Sequence, residues 1–224
     1  MSTVELSGVS HAYGRTQALS DVSLSVEPEE VVAVTGPSGC GKSTLLLLTA
    51  GVLRAQSGRV VVAGTELSGA DDAARARFRR RQIGLVLQFG QLVEDLSVRD
   101  NVALPLLLEG HRPAEARAAA DGWLDRVGLP VDPGTMPADL SGGQAQLAAG
   151  ARALVTGPRL LLADEPTASL DPAAGRVLLD LLVGTTVQAG GSVVLVSHDN
   201  AVAARADREV RLRRGAIAHQ VALS

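Results

Sequence analysis

Lysine is almost absent from this 224-residue chain: of its 21 Lys and Arg residues, only Lys42 is a lysine. Cysteine is equally scarce. Cys40 stands alone, which excludes an internal disulfide and suits a reducing compartment. One Trp, one Tyr and two Phe give 2% aromatic content against 46% hydrophobic residues, so the core must be built from Ala, Val and Leu. Basic charge is not in excess either. A net charge of −3 and a pI near 5.8 lack the electrostatic footprint of a nucleic-acid binder, for which a pI above about 9 is usual, so no nucleic-acid partner is expected. The longest apolar run, Thr44 to Leu53, falls short of the ~18 residues of a membrane span. The opening "MSTVELSGVSHAYG" has neither the basic n-region nor the apolar h-region of a secretory signal, and a cytosolic chain is expected.

What is present reads as one α/β domain over residues 1–224. Short alternating pieces in the first thirty residues ("VELSGV", "VSLSV") predict antiparallel strands. "VVAVT" (31–35), "IGLVLQ" (83–88), "RLLLAD" (159–164) and "GSVVLVSHD" (191–199) are apolar runs of the kind buried on both faces of a mainly parallel sheet. "STLLLLTAGVL" after the first of these runs, residues 70–82 and residues 173–188 read as helices. Between Ser97 and Leu154 the pattern is helix after helix. The expected organisation is an α/β core over 1–88 and 156–224, with an N-terminal antiparallel β part, and a helical subdomain inserted over 89–155. Arg75, Arg77, Arg79, Arg80 and Arg81 crowd one helix, which reads as a solvated face or as a surface for anionic lipid.

The stretch "GPSGCGKST" follows the strand at 31–35 directly. Gly36, Gly41, Lys42 and Ser43 fit G-x-x-x-x-G-K-[ST], the phosphate-binding loop. Glycines let successive N–H groups turn toward one anion, and the following helix adds its positive end. Lysine supplies a compact charge between the β and γ phosphates and Ser43 a hydroxyl for Mg²⁺. An arginine fork is too wide for that cradle, which explains why a chain that otherwise uses arginine keeps lysine here. The loop residues Gly36, Ser38, Gly39, Cys40, Gly41, Lys42, Ser43 and Thr44 are therefore candidates for contact with the phosphates. The same setting would lower the pKa of Cys40 from its reference of ~8.5 and make it a nucleotide-protected thiol; otherwise it is a small side chain at a tolerant position.

In "LLLADEPT" (160–167) a strand ends in two acids. Asp164 at the strand tip can hold the Mg²⁺ shell, and Glu165 can take a proton from an attacking water. "LSGGQAQLAAGARAL" (140–154) places two glycines after Ser141 at a helix start, a second anion-binding end.

These motifs in this order resemble the ATP-binding subunits of ABC transporters over nearly the whole chain, a family built on a phosphate-loop NTPase core. The resemblance implies that Tyr13 in "HAYG" stacks on adenine and that Gln88 senses metal and water. It implies that "LSGGQ" is the signature, with Ser141, Gly142, Gly143 and Gln144 on the nucleotide, that Asp171 in "ASLD" belongs to the dimer loop, and that His198 is the γ-phosphate switch. It further implies ATP and Mg²⁺ as cofactors, a head-to-tail homodimer, and a separately encoded membrane permease at the inner face of the cell membrane. Leu147 stands where the family usually has arginine, and Gly150 sits mid-helix where an aliphatic residue is usual. "DNVALPLLL" is similar to the branch of lipoprotein-releasing, macrolide-exporting and cell-division ATPases, with Glu94 where that branch often has proline. This favours extrusion over import and makes the stretch 89–110 the expected face for the permease. A soluble ABC ATPase of the repair type would carry a long insertion, for which the roughly fifty residues between Gln88 and Leu140 leave no room. A GTPase would need an Asn-Lys-x-Asp motif, which the single lysine forbids.

Overall fold

The computed structural model describes residues 2–223. Strands β1 (Val4–Tyr13) and β2 (Thr16–Val26) form the expected N-terminal hairpin, and β3 (Val31–Thr35) leads through the glycine loop into helix α1 (Lys42–Thr49). Strands β4 (Ser57–Val62) and β5 (Thr65–Glu66) return beside β1, completing an antiparallel sheet ordered β2-β1-β4-β5. The first helix ends earlier than its apolar run suggested: Gly51 takes φ +64°, and the chain leaves the helix there.

Helix α2 (Asp72–Gln82) precedes β6 (Ile83–Val86). Helices α3 (Val98–Leu108), α4 (Pro113–Arg126) and α5 (Gly142–Leu154) follow, then β7 (Leu160–Asp164), α6 (Pro172–Gln188) and β8 (Ser192–Val196). A short helix α7 (Asn200–Ala203) and two further strands, β9 (Arg208–Arg213) and β10 (Ala216–Ala222), complete the described chain. The second sheet runs β10-β9-β3-β8-β7-β6. It is parallel from β9 to β6, with β10 antiparallel at one edge.

This parallel sheet separates two apolar clusters, and strand alternation divides it between them. Val31, Ala33, Leu161, Ala163, Val193 and Leu195 face a cluster shared with α3 to α6; Val32, Val34, Leu160, Leu162, Val194 and Val196 face one shared with α1, β1, β2 and β4. Every residue of β7 and β8 is buried, as strands covered on both faces must be. Each fully buried leucine here stabilises the fold by ~1.5–3 kcal/mol.

Asn101 is fully buried at the start of the helical part and satisfies its whole amide: Oδ1 accepts from the Val93 N–H at 2.7 Å, and Nδ2 donates to the carbonyls of Val93, Leu96 and Ser97. The two departures in α5 also find their reasons. Leu147 packs against the helical-side core. A Cβ on Gly150 would lie 2.7 Å from Leu178 Cδ1, so glycine lets α5 approach α6 closely.

The arginines of α2 are mostly not a solvated or lipid-facing surface. Arg75 is buried, donating to the Gly51 and Ala70 carbonyls and to Asp72; Arg79 donates to the carbonyls of Ala50 and Gly51; Arg80 and Arg81 both hold Glu109 at the end of α3. They tie α2 to its neighbours. Glu109 between two guanidinium groups is held below the usual carboxylate range, through hydrogen bonds first from Arg81 and then from Arg80.

Candidate active site

The glycine loop, Asp164, Glu165, His198 and Gln88 lie at or just beyond the C-terminal ends of the parallel strands, where ligand sites of open α/β sheets form, whereas Tyr13, Ser141–Gln144 and Asp171 sit on other elements. Gly36, Gly39 and Gly41 take φ of +143°, +75° and +109°. Space forbids side chains at the two ends of this loop. A Cβ on Gly36 would sit 2.3 Å from the Leu212 carbonyl oxygen, and one on Gly41 2.5 Å from that of Ala18. The loop also rests on the β9–β10 turn, where the Gly215 N–H donates to the Cys40 carbonyl at 3.0 Å. Helix α1 starts at Gly41 without a side-chain cap, leaving its first-turn N–H groups available to an anion. Lys42 curls over the loop and donates from Nζ to the carbonyls of Gly36 at 2.8 Å and Pro37 at 3.2 Å. Ser38, Gly39 and Ser43 are exposed on the rim, while Thr44 is buried beneath.

Cys40 does not face that rim. Its side chain is 5% exposed and fills the aliphatic core under the loop, so the expected reactive thiol is replaced by a packing residue. Only its backbone can take part in an anion cradle.

At the tip of β7, Asp164 is 6% exposed. Burial pushes its carboxyl up from the ordinary value, and the nearby Ser43 hydroxyl partly offsets this, so two hard oxygen donors lie near one another beside the loop. Glu165 follows with φ +47°, a left-handed conformation costing a non-glycine residue ~1–2 kcal/mol, and its N–H is tied to the Val196 carbonyl at 2.8 Å. Its carboxylate is aimed by three donors. Ser197 Oγ donates to Oε2 at 2.9 Å; the His198 backbone N–H lies 3.2 Å and His198 Nδ1 2.7 Å from Oε1. This hydrogen bond, aided by the charge of Glu165, raises the His198 pKa above its ordinary value. Ser197 was not among the sequence candidates; its place between a buried strand and His198 was the available signal.

Gln88 lies at the same end of the sheet. Val86, the last residue of β6, pairs with Ala163, and Gln88 follows two residues on in an exposed turn, as Glu165 follows the end of β7. Tyr13 ends β1 with its ring 51% exposed and edge-on to His11, centroids 4.9 Å apart. The second anion-binding end differs from the first. Ser141 and Gln144 close a reciprocal cap at the start of α5, Ser141 N–H to Gln144 Oε1 at 2.8 Å and Gln144 N–H to Ser141 Oγ at 3.3 Å. Gly142 and Gly143 lie against Ser169 and Leu170. Asp171 caps α6 by accepting from the Ala173 and Ala174 N–H groups, which hold its carboxyl below the usual range. Among the described residues no cluster of three or more His, Cys, Asp or Glu side chains could hold a metal ion, and no helix is long and apolar enough to cross a membrane.

A parallel sheet with an uncapped helix behind a glycine loop, a lysine over that loop and an acidic pair at the tip of the next strand but one define an α/β NTPase of the phosphate-loop class. The chain belongs to the ABC transporter family, whose model matches residues 19–168, as an ATP-hydrolysing member. It is 44% identical over 218 residues to the lipoprotein-releasing system ATP-binding protein LolD of Ruegeria pomeroyi, covering 95% of this chain and 96% of the relative. To the LolD protein of Cereibacter sphaeroides it is 43% identical over 221 residues, covering 95% and 97%. Among solved structures it is similar to the ATP-binding cassette MJ0796, described as a dimer in a post-hydrolysis state bound to ADP and Pi. The TM-score is 0.94, the identity 33%, and 99% of each chain is covered.

Proposed function

We propose that this chain is the ATPase subunit of a lipoprotein-releasing type of extrusion system, working as a homodimer on a separate membrane permease from the inner face of the membrane. The observation that carries the chemical part is the aimed carboxylate of Glu165 beside the lysine-bearing loop. ATP would lie with its phosphates on the N–H groups of residues 36–44 and adenine against Tyr13; Ser141, Gly142 and Gly143 of a second copy would close over the γ phosphate. Glu165 accepts the proton of the attacking water, held in place by Ser197 and His198, so that little reorganisation is needed at the moment of reaction. Lys42 exchanges its loop carbonyls for phosphate oxygens.

The Ser43 hydroxyl and the buried Asp164 fit Mg²⁺: both are hard oxygen donors, and a carboxylate pressed upward by burial gains from a cation beside it. Gln88 would complete this edge. When bound, the ion neutralises charge on the β and γ phosphate oxygens.

Support for the permease face comes from Phe89, 68% exposed, and Leu108, 57% exposed. Leu108 borders a groove of about 200 Å³ whose walls also include Leu85, Leu87 and Leu104. The names of the LolD relatives support the lipoprotein class.

Gel filtration of Glu165→Gln with and without Mg·ATP tests the reading. Removing the base while keeping the binding contacts should trap a nucleotide-bound dimer with hydrolysis lowered ~10²- to 10⁴-fold. A variant that stays monomeric at saturating ATP, or that turns over normally, would contradict it.

A further inference from the structure

Arg152, in the last turn of α5, has no carboxylate partner among the described residues. Burial presses its pKa below the ordinary guanidinium value. Its fork is spent on backbone instead: Nη2 donates to the Gly90 carbonyl at 2.9 Å and Nη1 to that of Gln91 at 3.1 Å. Those carbonyls belong to the loop that follows Gln88, where Phe89, Gly90 and Gln91 take φ of +65°, +73° and +44° in succession. Three consecutive left-handed residues, two of them not glycine, persist only where surrounding contacts hold them.

A second contact joins the same two pieces. A Cβ on Gly90 would lie 2.7 Å from the Ala145 carbonyl oxygen, so the loop backbone touches the first turns of α5 with no room for a side chain. Helix α5 thus grips the loop at both ends, through Ala145 near the signature glycines and through Arg152 two turns further on. Arg152 also lines the groove of about 200 Å³. Charge-assisted bonds to fixed carbonyls are the stronger kind of hydrogen bond, and the planar fork spans two acceptors that an ammonium group would not hold in the same geometry.

We infer that Arg152 is a positioning residue for Gln88: it fixes the loop in its left-handed form and makes the side chain of Gln88 follow any movement of α5. This rests on the proposed role of Gln88 at the metal and water, and the test separates the two. ATP hydrolysis and nucleotide affinity are measured for the full-length wild type, Gln88→Ala, Arg152→Ala, Arg152→Lys and Gln88→Ala/Arg152→Ala. Arg152→Ala should lower kcat about 10- to 100-fold with ATP affinity within about threefold of wild type, and Arg152→Lys should recover part of the loss. In the Gln88→Ala background the same Arg152→Ala change should alter kcat less than about twofold, because a residue acting through Gln88 has nothing left to position. Multiplying losses in the double variant, or a fall in ATP affinity as large as the fall in kcat, would overturn the inference while leaving the role of Gln88 intact. An unimpaired Gln88→Ala would overturn both. If Arg152→Ala does not fold, Arg152→Lys carries the same cycle with smaller effects.

Discussion

His198 Nδ1 lies 2.7 Å from Glu165 Oε1, which joins the proposed base and the proposed phosphate switch in one hydrogen-bonded unit. Because this partnership raises the His198 pKa, the imidazolium–carboxylate attraction is complete below the unfolded value of 6.5 and is lost as pH rises through the higher folded value. Melting temperatures of the wild type and His198→Ala should therefore differ most near pH 6 and converge toward pH 9, with less difference in high salt, since His198 is exposed. In Glu165→Gln the His198 titration, followed by NMR, should fall back toward 6.5. An unchanged titration would show that Glu165 is not its partner in solution.

Gly41 is predicted to tolerate no larger residue. In Gly41→Ala the new methyl group meets the Ala18 carbonyl at 2.5 Å and Leu19 Cδ2 at 2.7 Å, at a backbone angle that already disfavours alanine. Overpacking of this kind costs ~1–3 kcal/mol, which lowers the melting temperature by several degrees in a chain of this size. ATP affinity should fall with it. Lys42→Arg should lose most ATP binding by a different route, without a comparable drop in melting temperature, because the guanidinium is too wide for the carbonyl seat of the ammonium. Calorimetric titration showing near-wild-type affinity for Lys42→Arg would refute this account.

Cys40 should resist maleimide in the native protein with or without Mg·ATP, and react fully once the chain is unfolded. Its 5% exposure makes labelling depend on opening of the loop and its core. No other cysteine exists, so intact mass reports on this site alone. Rapid labelling of the nucleotide-free protein would mean that the thiol turns outward.

Gly150→Ala offers a test of packing against propensity. Alanine should favour α5 by up to ~1 kcal/mol, yet its methyl group would sit 2.7 Å from the tip of Leu178, which is 1% exposed and has little freedom to yield. Denaturant unfolding should find Gly150→Ala no more stable than wild type, but stabilising when introduced into Leu178→Val. Additive effects would show that the two side chains do not meet.

Much of this was legible because apolar runs and glycines leave a strong signal. The buried strands β3, β7 and β8 stood out as runs of Val, Leu and Ala, and the phosphate loop as fixed spacing. Strands β9 and β10 did not. "REVRLR" buries only Val210 and Leu212, between arginines, and β10 is almost wholly exposed, so neither carries an apolar run. The direction of Cys40 was hidden for another reason: within an irregular loop no periodicity tells which side chains turn inward. Arg152 and Ser197 act on backbone and side chains far away in sequence, and pairing at that distance is invisible in a single chain.

The support of Gly36 and Cys40 by Leu212 and Gly215 has a bearing on biosynthesis. The loop is encoded early, but β3 lies between β8 and β9, and the surface on which the glycines rest is made only when the ribosome has reached residues 208–215. A nascent chain that has already emitted its whole phosphate motif would still lack the bed on which that motif takes shape. Nucleotide capture at this loop would thus be deferred until nearly the entire described chain has emerged.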